Sequence, residues 1–167
     1  MNPDCTGTIA LDGVNESFVV LGNGGLRLVD TDSWVTETRS MEKMPKAHSC
    51  SLSMLKGAYS VQGEGTVVAQ IPGWPAPPLP LAEVAHYSLD GAGNLSGNIS
   101  ANVDGTLVTG TLLGTYTVKP DCTGTIASNG GGLPFNQWFV VLSDGSLRLV
   151  QTDSWLVITR TMEKMPD

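Results

Sequence analysis

The stretch AEVAHYSLDGAGNLSGNISANVDGTLVTGTLLGTYTVKPDCTGTIA, residues 82–127, decides the fold. Short runs rich in Val, Thr, Leu and Tyr are punctuated by Asp90-Gly91 and Asp104-Gly105, and Asp144-Gly145 follows in the same way. Asp-Gly accepts the positive φ angles of a type I′ turn, so each pair reads as a two-residue hairpin. Turns recurring at this spacing predict an up-and-down meander of about eight strands. A meander that long closes on itself to hide its edges. The alternation also sorts side chains onto faces. Glu83, Ala85, Tyr87 and Leu89 oppose Val84, His86 and Ser88, while Tyr116 and Val118 oppose Thr115 and Thr117.

Working outward, the end of that stretch occurs twice. NPDCTGTIA stands at 2–10 and KPDCTGTIA at 119–127, and both continue through an aromatic-aliphatic run to DTDSW or QTDSW and then TRSMEKMP or TRTMEKMP. Cys5 matches Cys122 at an offset of 117, whereas Phe18 and Phe139, Arg27 and Arg148, Asp32 and Asp153, Trp34 and Trp155, and Met44 and Met165 are offset by 121. The four extra residues fall in SNGGGLPFNQ, 128–137, which reads as a lengthened hairpin loop because loops take added length at low entropic cost. Residues 46–118 have no second copy. The expectation is therefore a complete barrel unit over 46–167, made of an N-terminal half, 46–118, and a C-terminal half, 119–167. Residues 1–45 then form a partial repeat equivalent to the C-terminal half. The fold class is all-β, an antiparallel barrel of about eight strands with an extra half-barrel at the N-terminus.

Composition agrees with strands. The chain of 167 residues carries Gly 20, abundant Thr, Val and Ser, and only 15% charged residues. The proline-rich piece IPGWPAPPLPLAE, 71–83, interrupts the alternation, since Pro cannot donate to a ladder. It predicts a long loop over one barrel mouth with Trp74 at its tip.

The formal net charge is −7 and no basic cluster exists, so the electrostatic term behind phosphate-backbone binding is missing and nucleic acid is excluded as a partner. No stretch approaches the roughly 18 apolar residues of a membrane-spanning helix, and the N-terminus lacks the basic-then-apolar design of a signal peptide. The chain reads as soluble, with its Thr/Gly/Ser richness leaning toward a secreted or periplasmic origin. The three cysteines allow one intramolecular bridge, Cys50–Cys122 or the rival Cys5–Cys50, and leave one thiol over. With only His48 and His86 and no CxxC, no metal site is expected, and no cofactor either.

LKGAYSV (55–61), HYSLDGAGNLSG (86–97), GTLLGTYTVKPDCTGTI (110–126) and FVVLSDGSLRLVQTD (139–153) together resemble a group of small bacterial β-barrels described as lipocalin-like or related to the allene oxide cyclase barrel. The resemblance covers nearly all of 50–160 and again 2–32. It implies an eight-stranded antiparallel barrel with an apolar lumen. Some barrels of this kind bind hydrophobic small molecules, and others are cyclases that fold a flexible substrate into a reactive shape.

An eight-stranded barrel is just wide enough to be filled or to hold one small ligand. Tyr59, Tyr87, Tyr116, Trp138 and Trp155 are the large side chains expected to line it, with Trp74 above them, either as ligand contacts or as plain core. Glu83, in phase with Tyr87, is the candidate acid or base, because desolvation in the mouth raises a carboxyl pKa; Tyr87 is its candidate catalytic partner. The bland alternative is a rim carboxylate facing water. Glu64 is placed near the same mouth and His86 outside. The leading function is a barrel that binds a small hydrophobic molecule. Behind it stand a cofactor-independent cyclase, isomerase, hydrolase or lyase, and a structural module with a solid core. The surplus half-barrel predicts a homodimer in which leftover halves close together or exchange strands, with Met41 and Met44 at the end of the first copy and Met162 and Met165 at the end of the second packing at the seam.

Overall fold

The computed structural model describes all residues except 1–3, 12–13, 23, 33–37, 47–48 and 167, so Trp34 and His48, both named in the sequence analysis, lie outside the described residues. The chain divides into two units, Met1–Lys43 and Met44–Asp167. The first holds the strands β1 (Thr6–Leu11), β2 (Val14–Val20), β3 (Leu26–Asp30) and β4 (Thr38–Met41), joined as one antiparallel sheet in chain order. The second holds β5 (Gly57–Val67), β6 (Leu79–Leu89), β7 (Asn94–Val103), β8 (Thr106–Val118), β9 (Thr123–Gly130), β10 (Leu133–Val141), β11 (Leu147–Gln151) and β12 (Leu156–Lys164). These eight close into an antiparallel barrel in which β12 pairs with β5, so no edge is left open.

The alternation read from β6 holds side chain by side chain. Glu83, Tyr87 and Leu89 are buried while Val84, His86 and Ser88 are exposed. Of the three Asp-Gly pairs, only Asp104-Gly105 is a two-residue turn, joining Val103 to Thr106 with φ values of 47° and 85°. Asp90 instead opens the wider loop 90–93, where its carboxylate accepts the backbone amides of Ala92 at 2.7 Å and Asn94 at 2.9 Å. Asp144 accepts the amide and hydroxyl of Ser146 in the same fashion. A carboxylate that satisfies two amides stabilises a longer loop that the dipeptide alone does not reveal.

Two further expectations are corrected. The residues of 128–137 do not lengthen a loop: Gly130 pairs directly with Leu133, and the turn is Gly131-Gly132 with φ values of 60° and 82°. The β9–β10 ladder runs from Thr123 to Gly130, whereas its counterpart β1 stops at Leu11, the match of Ser128. The insertion thus extends two paired strands, because a ladder satisfies its backbone groups and a longer loop does not. The proline-rich segment is also shorter than expected. Strand β6 resumes at Leu79, and Pro80 sits at its start, where a missing N–H is tolerated.

The barrel interior has two apolar clusters. One end is filled by Leu55, Tyr59, Tyr87, Leu112, Tyr116, Ile126, Phe139, Leu147 and Met162 and closed by a short 3-10 helix, Leu52–Leu55. The Cys50–Cys122 disulfide ties that helix's entry to the turn before β9. Cys5 is a free, exposed thiol. The other cluster, Val67, Ile71, Leu79, Ala101, Val103, Leu156 and Ile158, surrounds the opposite mouth.

Candidate functional site

Between the two clusters the inward positions turn polar. Along β12 the inward series runs Leu156, Ile158, Arg160, Met162, and along β6 it runs Leu79, Leu81, Glu83, Ala85, Tyr87. Strand β5 lies between these strands and offers Gly63 as the direct neighbour of both Arg160 and Glu83. A Cβ on Gly63 would stand 2.9 Å from Arg160 Cγ, so the missing side chain is what lets the two residues meet across β5. Arg160 donates through Nε to Glu83 Oε1 and through Nη2 to Glu83 Oε2 at 3.1 Å. Its Nη1 donates to Gln151 Oε1 at 2.8 Å. Gln151 in turn donates to Asp153, whose carboxylate accepts the backbone amide of Asn136 at 2.6 Å and its side-chain amide at 2.7 Å. Both charged side chains of the pair are only 1% exposed. A buried pair of this kind persists because the fork geometry satisfies both partners at once.

Above this layer lies a cavity of about 260 Å³. Its walls include Val67, Ile71, Leu81, Val103, Leu133 and Phe135, with Trp74 and Trp155 among the aromatic contributors. Trp155 meets Phe135 edge to face, ring centroids 5.3 Å apart, and its indole N–H donates to the Pro134 carbonyl at 3.2 Å. The extended hairpin contributes Gly130, Gly131, Leu133 and Phe135 to the lining. Among the described residues Glu83 is the one charged residue in the lining, and Thr109, itself exposed, brings the one hydroxyl. The other half of the lumen is filled, so the cavity is blind.

The expected site residues separate into three groups. Trp74, Trp155 and Glu83 line the cavity. Tyr59, Tyr87 and Tyr116 lie in the filled end of the barrel, not in the cavity wall. Trp138 is corrected outright: it is 41% exposed on the outer face of β10, because the inward phase of that strand belongs to Gln137 and Phe139. Glu64 is exposed on an outer groove and His86 is exposed on β6. Burial pushes the Tyr59 phenol up to about 12, helped by Tyr116. Burial likewise pushes Tyr87 up to about 12, with Arg160 opposing the rise, Glu83 adding to it and Gln137 opposing it. Gln137 faces the Tyr87 hydroxyl short of a full hydrogen bond, and both of its amide atoms lack a partner, as does the Tyr59 hydroxyl.

Sequence reasoning missed Arg160. The signal was there: in WLVITRTM the arginine falls in phase with Leu156, Ile158 and Met162, and a cation on an apolar face asks for a buried anion. The first copy has Arg39 at the same place, where it pairs with Glu16 at 3.0 Å. Glu16 is the match of Gln137. Each copy therefore gives its arginine a carboxylate, from β2 in the sheet and from β6 in the barrel.

Among the described residues no group of three His, Cys, Asp or Glu converges to hold a metal ion. No helix of the described residues is long and apolar enough to cross a membrane. No family model matches the chain, and no curated protein matches it.

Proposed function

We propose that the barrel binds a small, predominantly apolar molecule in the cavity beneath Trp74 and Trp155, in the manner of the lipocalin-like barrels its sequence resembles. The observation that carries the reading is the split lumen: one half is packed solid, while the other holds a cavity of about 260 Å³ with apolar walls. Small-molecule pockets begin at about 300 Å³ and are lined mainly by hydrophobic and aromatic groups. The bidentate engagement of Glu83 by Arg160 weighs against the acid–base alternative, since a carboxylate held on both oxygens is committed to its partner. Titration of the 15N-labelled protein with naphthalene tests the proposal. Amide signals of Gly130, Gly131 and Leu133 and the Trp155 indole signal are expected to shift together, with the Trp138 indole unmoved. No shift, or shifts scattered over the outer face, would remove the reading.

We read the sheet β1–β4 as a second copy of the barrel's C-terminal half. Its hydrogen bonds repeat those of β9–β12. Asp4 accepts the Thr6 amide and hydroxyl at 3.1 and 2.7 Å, as Asp121 accepts those of Thr123 at 3.0 and 2.7 Å. Asp32 holds the Asn15 amide and side chain as Asp153 holds those of Asn136. On this reading two such sheets from separate chains close together, giving a homodimer. Light scattering after size exclusion is expected to return twice the chain mass, and a monomer mass with the sheet intact would defeat it.

A further inference from the structure

We infer that the cavity selects a compact, uncharged, ring-bearing molecule and rejects anionic and long-chain lipids. The inference rests on the binding function proposed above and narrows its ligand. Three observations carry it.

The first is electrostatic. Among the described residues the only charged group in the cavity wall is Glu83, and its two oxygens are already engaged by Arg160, whose third bond goes to Gln151. The pair is neutral as a unit and 1% exposed on each side, so the floor offers an entering charge no free counter-ion. An ion carried into such a site loses its hydration without compensation, which in practice excludes it. A carboxylate is disfavoured further, because it enters a chain of net charge −7. Among the described residues no free cation, the usual anchor for a fatty-acid headgroup, faces the cavity.

The second is depth. Below the Glu83–Arg160 layer the lumen is occupied by Tyr59, Tyr87, Tyr116, Leu112 and Phe139, all 3% exposed or less. An extended alkyl chain thus meets a closed floor. The third is the wall chemistry. Trp74, Phe135 and Trp155 bring aromatic faces and edges to one small volume, which favours a planar or cyclic guest through offset and edge contacts.

The test uses the full chain and four probes: naphthalene, 2-methoxynaphthalene, 2-naphthoate and decanoate, each measured by equilibrium dialysis at pH 7. The expected result is that the first two bind with similar dissociation constants while 2-naphthoate binds at least tenfold more weakly and decanoate is not retained. At a pH below the carboxyl pKa of free 2-naphthoic acid, its binding is expected to recover to within a few-fold of 2-methoxynaphthalene. Binding of 2-naphthoate or decanoate at pH 7 as tight as naphthalene would overturn the inference while leaving the binding function standing. Retention of none of the four would overturn both.

Discussion

Glu83 and Arg160 sit on strands that are not paired with each other, yet they meet, because Gly63 on the strand between them is the cross-strand neighbour of each. The pair is buried and fully engaged, so its two halves differ sharply in what their loss costs. Removing one partner leaves a lone buried charge, at about 3–5 kcal/mol, whereas replacing both with apolar side chains of similar volume is close to neutral or stabilising. Arg160→Ala is therefore expected to lose several kcal/mol in urea unfolding, and Glu83→Leu/Arg160→Met is expected to stay within about 1–2 kcal/mol of the parent. A double variant as weak as the single one would mean the pair holds the barrel together instead of merely dividing its lumen.

The phenols below the pair make the fold sensitive to base. Tyr59 and Tyr87 both titrate near 12, above the usual 10, mainly because burial disfavours the phenolate. A raised folded-state pKa means the neutral form is favoured by folding. The contribution is complete below pH 10 and disappears as pH rises through 12. Tyr59 has a second peculiarity, a hydroxyl with no partner at 0% exposure. Tyr59→Phe removes an unsatisfied group and is expected to raise stability by about 1 kcal/mol at pH 7 and to flatten the loss between pH 10 and 12. Thermal melts across that range check both points. A destabilised Tyr59→Phe protein would show that its hydroxyl has a partner after all.

Strand count, closure and the inward phase of β6 could be read in the sequence because alternation and turn residues are local signals. The pairing of Glu83 with Arg160 was not legible, since it depends on which strand closes the barrel, and β12 becomes the neighbour of β5 only in three dimensions. Trp138 was misread for a different reason. In QWFVVL the aromatic pair Trp138-Phe139 straddles both faces, and size alone does not say which points inward; the buried partner is Phe139 at 0%. Gly and Asn signal turns, so the glycine-rich insertion reads as a loop, whereas its register places the turn at just two of those glycines.

That insertion is also what walls the cavity, and it can be removed. Replacing 129–134, NGGGLP, by Asp-Gly restores the length of the first copy and takes away Gly130, Gly131 and Leu133 from the lining. The deletion removes only the last two rungs of the β9–β10 ladder, Asn129 with Pro134 and Gly130 with Leu133, and leaves Ser128 with Phe135 to carry the turn as Leu11 with Val14 does in the first copy, so the barrel is expected to fold. Naphthalene affinity is expected to fall by about tenfold or more as the apolar wall is lost. Circular dichroism reports the fold and dialysis reports the binding. Unchanged affinity in the shortened protein would place the ligand elsewhere.

The closed end depends on a covalent tie. Cys50 and Cys122 are 72 residues apart, and a crosslink over that length stabilises by about 4 kcal/mol in the chain-entropy account. In native protein one thiol, that of exposed Cys5, is expected to react with Ellman's reagent, and the others only after reduction. Cys122→Ser is expected to shift the urea midpoint down by an amount equal to the effect of dithiothreitol on the parent, and dithiothreitol is expected to add nothing to the variant's loss. If reductant leaves the parent's midpoint where it was, the bridge contributes nothing to stability, and the plug formed by the Leu52–Leu55 turn is held by packing alone.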